Sequence, residues 1–242
     1  MSASVVMIAS CKGGVGKTTI TAAIGAALAA LGRRTLMIDC DFGMRCLDLV
    51  TGMTDVTYDI CDCILRDIPV EKAVQHDPDS EKLMFLAAPY RYEGGLTAEN
   101  FRDFLRQAVK TLDLDYILLD THGGEGVELP LAAAVADLAL VVTTQQQTSV
   151  RAAEETALRL GEMGVTQTRL IVNCYDRRLV KRGVYPGVIG LIDNTKVRLI
   201  GVVPSDDKLR FGLHSEMNAE TVRVFFNIAR RIHGESVPLS VV

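Results

Sequence analysis

Short runs in which apolar residues follow one another without alternation recur along the chain: Val5 to Ala9, Thr35 to Asp39, Leu83 to Ala87, Tyr116 to Asp120, Leu138 to Thr143, Arg169 to Asn173 and Leu199 to Val203. Alternation marks a strand with one wet face, so continuous runs predict strands covered on both faces, as in a parallel sheet. Between them lie segments with helical spacing: Thr18 to Leu31, Tyr58 to Arg66, Ala98 to Leu112, Leu129 to Ala136, Val150 to Met163 and Thr221 to His233. Seven readable strands alternating with helices predict a three-layer, doubly wound α/β fold, mostly parallel, with helices on both faces. Ligands in such a sheet gather at the carboxyl ends of strands, where the loops at Cys11, Asp39, Asp120 and Asn173 begin. Tyr175 to Thr195 is the least regular stretch and reads as a surface loop. With no internal repeat or linker, a single domain over residues 1–242 is expected, ending in an irregular tail from about residue 235.

Chemistry enters at the first strand-to-helix junction. Residues 11 to 19 read Cys-Lys-Gly-Gly-Val-Gly-Lys-Thr-Thr, directly after the apolar run and directly before the first helical segment. A strand feeding a glycine loop that opens a helix is a phosphate cradle. Gly13, Gly14, Val15 and Gly16 present backbone N–H groups to an anion, and Thr19 follows inside the helix start. Lys17 reaches β and γ oxygens and the Thr18 hydroxyl ligates magnesium. The expected cofactors are therefore ATP or ADP with Mg²⁺. Cys11 stands where the first glycine of the strict GxxxxGK[ST] pattern belongs, leaving the variant loop KGGxGKT with a second lysine, Lys12, at its start. A lysine there bends back poorly onto phosphates its own loop wraps, so Lys12 is expected to serve a neighbouring subunit.

Acids surround this loop in sequence. Asp39-Cys40-Asp41 closes the second strand, and carboxylates two apart past a strand end can share one side, toward metal and γ-phosphate. Asp41 is the candidate for positioning the attacking water, a task that needs an acceptor rather than a strong base. Asp120 ends the run Tyr116-Ile117-Leu118-Leu119, where an acid is expensive unless a cation meets it, so Asp120 is the candidate magnesium carboxylate beside Thr18 and Asp41. Thr121-His122-Gly123-Gly124 follows and reads as a switch sensing γ-phosphate, with His122 a hydrogen-bonding group rather than a base.

A net charge of −4 without a dense basic block argues against nucleic acid as the main partner. The short run Arg177, Arg178, Lys181 and Arg182 reads as solvated. Met1 to Ala9 has no basic leader, and no stretch reaches the roughly 18 to 20 apolar residues of a spanning helix, so a soluble, cytoplasmic protein is expected. The six cysteines show no CxxC spacing and read as reduced, small apolar residues.

The loop KGGVGKTT, together with Asp39-Cys40-Asp41-Phe42-Gly43-Met44-Arg45-Cys46-Leu47-Asp48-Leu49 and Thr51-Gly52, resembles the MinD branch of the ParA/MinD deviant Walker A ATPases. Further matches are TTQQQTSVRAAE, LIVNCYD, Gly201-Val202-Val203-Pro204 with Asp206, and the stretch Asn227 to Leu239, so the resemblance spans nearly the whole chain. It implies eight strands and an ATP-sandwich homodimer completed by Lys12 from each copy. It also implies an adenine pocket at Asn173, Pro204 and Asp206, slow ATP hydrolysis, and a role as a spatial switch for the division site. Implied partners are MinC-type and MinE/DivIVA-type regulators. The inner membrane surface joins them only with a basic amphipathic C-terminal helix, which this sequence, stopping at Val242, does not show. Departures are Cys46 for asparagine, Gln145-Gln146 for Pro-Glu, Ala152 for aspartate, and THGGEG for SPAGIE in the switch; the first three fall on the family's partner-binding surface. Rival readings are a ParA-like DNA-partitioning ATPase and a small-molecule ligase of the dethiobiotin-synthetase kind. An iron–sulfur carrier would need converging cysteines.

Overall fold

The computed structural model describes residues 3–124, 126–211 and 217–239. Among them, eight strands build one sheet: β1 (Ser4–Ala9), β2 (Thr35–Cys40), β3 (Gln75–Asp77), β4 (Ser80–Leu86), β5 (Tyr116–Thr121), β6 (Leu138–Thr143), β7 (Thr168–Tyr175) and β8 (Leu199–Pro204). Their spatial order is β3-β4-β2-β5-β1-β6-β7-β8. Every pairing is parallel except β3 with β4, which forms an antiparallel edge hairpin. The helices are α1 (Lys17–Ala30), α2 (Leu47–Thr51), α3 (Ile60–Leu65), α4 (Val70–Ala73), α5 (Ala98–Leu112), α6 (Glu128–Ala133), α7 (Gln147–Glu162), α8 (Arg177–Lys181), α9 (Val188–Thr195) and α10 (Ala219–Ile232), with a 3-10 turn at Lys208–Phe211.

The sheet is covered on both sides, which is why its strands are continuously apolar. Val6, Ile8, Met37, Phe85, Leu118 and Ile171 pack against α1 and α10, while Met7, Ala9, Ile38, Leu86, Ile117 and Leu119 pack against α5, α6 and α7. The period-2 geometry of each strand sends neighbours to opposite layers. α1 is almost wholly buried, from Ile20 through Leu28, because β strands lie beneath it and α10 beside it. Gly201 in β8 permits the closest approach of α10: a Cβ there would collide with Cδ1 and Cγ1 of Ile228.

Several sequence expectations shift. The eight strands implied by the resemblance are present, but the apolar patterning missed β3, which its polar Gln-His-Asp composition concealed; an edge strand needs no apolar face. The expected loop from Tyr175 to Thr195 instead holds α8, capped by Asp176, and α9, which buries Val188 and Leu191. The helix placed at Tyr58 starts at Ile60, because Asp59 is its N-cap in a capping box with Asp62. On α10 the buried stripe is Thr221, Val224, Phe225, Ile228 and Ala229, while Val222 and Phe226 are only partly covered. Residues 235–239 have no regular structure, yet Arg231 donates to the carbonyls of Val237 and Pro238 and pins them to α10; residues 240–242 of the expected irregular tail lie outside the described residues. No helix among the described residues is long and apolar enough to cross a membrane.

Candidate nucleotide site

The loop between β1 and α1 turns by placing Gly14 and Gly16 in left-handed backbone, at φ 74° and 94°. Gly16 must also lack a side chain, because a Cβ would collide with Asn173 Nδ2. That amide donates to Val15 O at 2.9 Å, and Asn173 Oδ1 accepts from Cys174 N, so the end of β7 clamps the back of the loop. At the loop's start, Cys11 N donates to Thr156 Oγ1 of α7 at 2.8 Å. The first turn of α1 then presents Lys17, Thr18 and Thr19 with the helix N-terminus and its unpaired N–H groups.

Lys17 is 7% exposed, and burial lowers its pKa although Asp120 and Asp41 pull it back up. Asp120 is fully buried on β5, in register with Asp39 of β2. Burial first, then the Asp39 charge, pushes its carboxyl up to about 7, against hydrogen bonds from Thr18 and Thr21 and the charge of Lys17. Thr21 Oγ1 donates to Asp120 Oδ1 at 3.0 Å, while Oδ2 is buried without a hydrogen-bond partner. A buried carboxylate oxygen left bare beside a threonine hydroxyl, with Asp41 also facing Lys17, is a hard-oxygen donor set suited to Mg²⁺.

The two acids of the Asp39-Cys40-Asp41 run do not share one side. Asp39 accepts Asp41 N at 2.8 Å and Leu47 N at 3.0 Å and is fully buried, its carboxyl raised to about 6 chiefly by burial. It braces the loop into α2, because two backbone amides within reach satisfy both its oxygens. Asp41 alone turns outward, and its Oδ1 lies 2.8 Å from His122 Nδ1. Arg45, in left-handed backbone at φ 45°, binds Asp48 at 2.8 Å and stacks 4.3 Å from the Tyr90 ring centroid, fixing the loop's far side.

Lys12 does not bend back over its loop. Its ammonium rests on Gln146 Oε1, Thr148 Oγ1 and Ser149 Oγ at the start of α7, at 3.2, 2.8 and 3.0 Å. Gln145, expected on a partner-binding surface, is 2% exposed; it accepts Asp176 N at 2.7 Å and ties the turn before α7 to the N-cap of α8.

Beside the loop lies a cavity of about 260 Å³ lined by Gly14, Val15, Gly16, Thr19, Asn173, Cys174, Pro204, Asp206 and Leu209. The structure thus brings Asn173, Pro204 and Asp206 to the loop from two strand ends. Asp206 is buried; burial would raise its carboxyl, but bonds from Asn218 N and Thr221 outweigh this and hold it below the usual range. Gly13, Lys17, Thr18, Asp41 and Asp120 gather at the other end of the loop, whereas the Lys12 ammonium lies apart from them on α7. Sequence reasoning passed over Thr21 and Thr156, whose only signal was a hydroxyl at an otherwise apolar helical position.

A glycine loop at a buried helix start, carboxylates on two adjacent strand ends and a flanking cavity define a phosphate-loop nucleotide-binding protein of the doubly wound α/β class. Residues 6–218 match the model of the CobQ/CobB/MinD/ParA nucleotide binding domain. The chain is 33% identical to the septum site-determining protein MinD of Synechocystis, over 97% of this chain and 91% of that protein, and 33% identical to that of Bacillus subtilis, over 98% and 91%. It superposes on MinD in the MinC:MinD cell division protein complex of Aquifex aeolicus with TM-score 0.89 and 34% identity, covering 98% of each chain. The chain belongs to the CobQ/CobB/MinD/ParA family, in its MinD group.

Proposed function

We propose that this protein is an ATP-dependent, dimerising switch that positions the cell-division site. Nucleotide and magnesium binding in this reading are carried by the buried, partnerless Oδ2 of Asp120 near Thr18 and Lys17, with a cavity at the other end of the same loop, and the division-site role is supported by the likeness to septum site-determining MinD proteins. Amides of Gly13 to Gly16 and the Lys17 ammonium hold the phosphates, Thr18 and Asp120 hold Mg²⁺ with Asp41 nearby, and Thr19, Asn173, Pro204 and Asp206 border the base. Bound magnesium supplies charge neutralisation on the phosphate oxygens. Asp41 orients water for hydrolysis to ADP and phosphate, a step in which positioning matters more than basicity.

Lys12 serves a second copy. Its ammonium is held by neutral oxygens of α7 rather than by an acid, so leaving them for a partner's triphosphate breaks no ion pair within the described residues. Likeness to MinD in a MinC:MinD complex supports a MinC-type protein as partner, with MinE/DivIVA-type regulators as further candidates. The whole chain acts as one ATPase domain. Sizing with Mg-ATP and Asp41→Ala tests the scheme: the variant accumulates as a dimer, and a monomer at saturating ATP rejects it. Lys12→Ala abolishes dimer and hydrolysis alike, and weakens nucleotide binding less than Lys17→Ala.

A further inference from the structure

The switch after β5 carries a histidine that the nucleotide-binding reading leaves without a task. Its placement is heavily determined. On one side, Thr121 Oγ1 donates to Ile8 O at 2.7 Å, anchoring the end of β5 to β1. On the other, Gly123 is wedged against the phosphate loop: a Cβ there would lie 2.8 Å from Gly13 Cα and 2.9 Å from Lys17 Nζ. His122 is held between these two points, and its Nδ1 sits 2.8 Å from Asp41 Oδ1.

Asp41 needs such a partner. Its backbone is fixed, since its N–H donates to Asp39 and its carbonyl accepts Arg45 N at 3.0 Å. Its side chain, 17% exposed, has His122 as its hydrogen-bond partner among the described residues. An ionised carboxylate only accepts, so Nδ1 carries the proton and the ring donates. One carboxylate oxygen is then held and the other remains available to a water molecule. Resting on the reading of Asp41 as the water-orienting acid, we propose that His122 is a positioning residue for hydrolysis: through Nδ1 it fixes the Asp41 carboxylate at the γ-phosphate end of the loop.

Steady-state hydrolysis, nucleotide binding and ATP-dependent dimer formation are to be measured on purified variants of the whole chain. His122→Ala is expected to lower kcat about tenfold, since a small misplacement of a reacting group is costly, while ATP affinity and dimer yield stay within about twofold. His122→Asn, whose amide nitrogen overlays Nδ1, restores most of the rate; His122→Gln, which overlays Nε2, does not. In an Asp41→Ala background, His122→Ala adds no further loss in single-turnover hydrolysis. An unchanged or raised kcat in His122→Ala overturns the proposal. So does a second tenfold loss in the Asp41→Ala background, or no recovery in a folded, dimerising His122→Asn. An Asp41→Ala protein hydrolysing at the parental rate would instead remove the underlying reading, a distinct result.

Discussion

Replacing Asp120 with asparagine should make the nucleotide-free protein more stable at pH 8 and no more stable at pH 5. An unfolded aspartate has its carboxyl near 3.8, whereas Asp120, buried among apolar strands and beside Asp39, holds its proton to about 7. Between those values the folded state binds more protons than the unfolded one, so stability falls as pH rises through the window and the full penalty stands above it. A rise of that size costs on the order of 4 kcal/mol, an upper figure because Asp39 shares the charge. The asparagine side chain would keep the acceptor for Thr21 but place an amide N–H₂ at the partnerless oxygen, costing about 1–3 kcal/mol. The net gain of roughly 1–3 kcal/mol corresponds to about 2–12 °C in Tm at 2–4 °C per kcal/mol. Thermal unfolding in EDTA at pH 5, 6, 7 and 8 reads this directly: both proteins lose Tm as Asp39 ionises, and the parent loses more than Asp120→Asn toward pH 8. With Mg-ATP at pH 8 the order reverses, because only the parent carboxylate gains a cation. Identical pH profiles for the two proteins would refute the buried-charge argument, and equal stabilisation by Mg-ATP would refute the assignment of magnesium to Asp120.

Two stability predictions follow from packing and capping. Gly201→Ala drives a methyl into Ile228 between β8 and α10 and should cost about 1–3 kcal/mol in urea unfolding, with Ile228→Val in the same chain recovering part of it. Asp206→Ala removes the acceptor shared by Asn218 N and the Thr221 hydroxyl, at about 1–3 kcal/mol; since its carboxyl is held below the usual range, the parent's advantage should be present above pH 4 and disappear as acid protonates it.

Much of the fold was legible because each strand is apolar on both faces and each helix spaces its apolar residues. Seven of the eight strands and six of the helices follow from that patterning alone. β3 was hidden because an edge strand needs only backbone partners, and α8 and α9 because their short, mixed compositions carry no clear period. The phosphate loop was legible because its chemistry is local: glycines, lysine and threonine do their work within one turn of chain.

What the sequence by itself determined is therefore whatever depends on neighbours along the chain: the layering, the glycine loop opening a helix, and the acid ending a buried strand. Tertiary structure alone decided what depends on register and long-range closure. Parallel pairing of β2 with β5 sets Asp39 opposite Asp120, and two backbone amides then turn Asp39 into a brace and leave Asp41 facing out. Gln145 goes inward because Asp176, the N-cap of α8, offers it a backbone N–H. Asn173 reaches the loop from 158 residues away, and His122 meets Asp41 across 81, distances over which no local periodicity carries information.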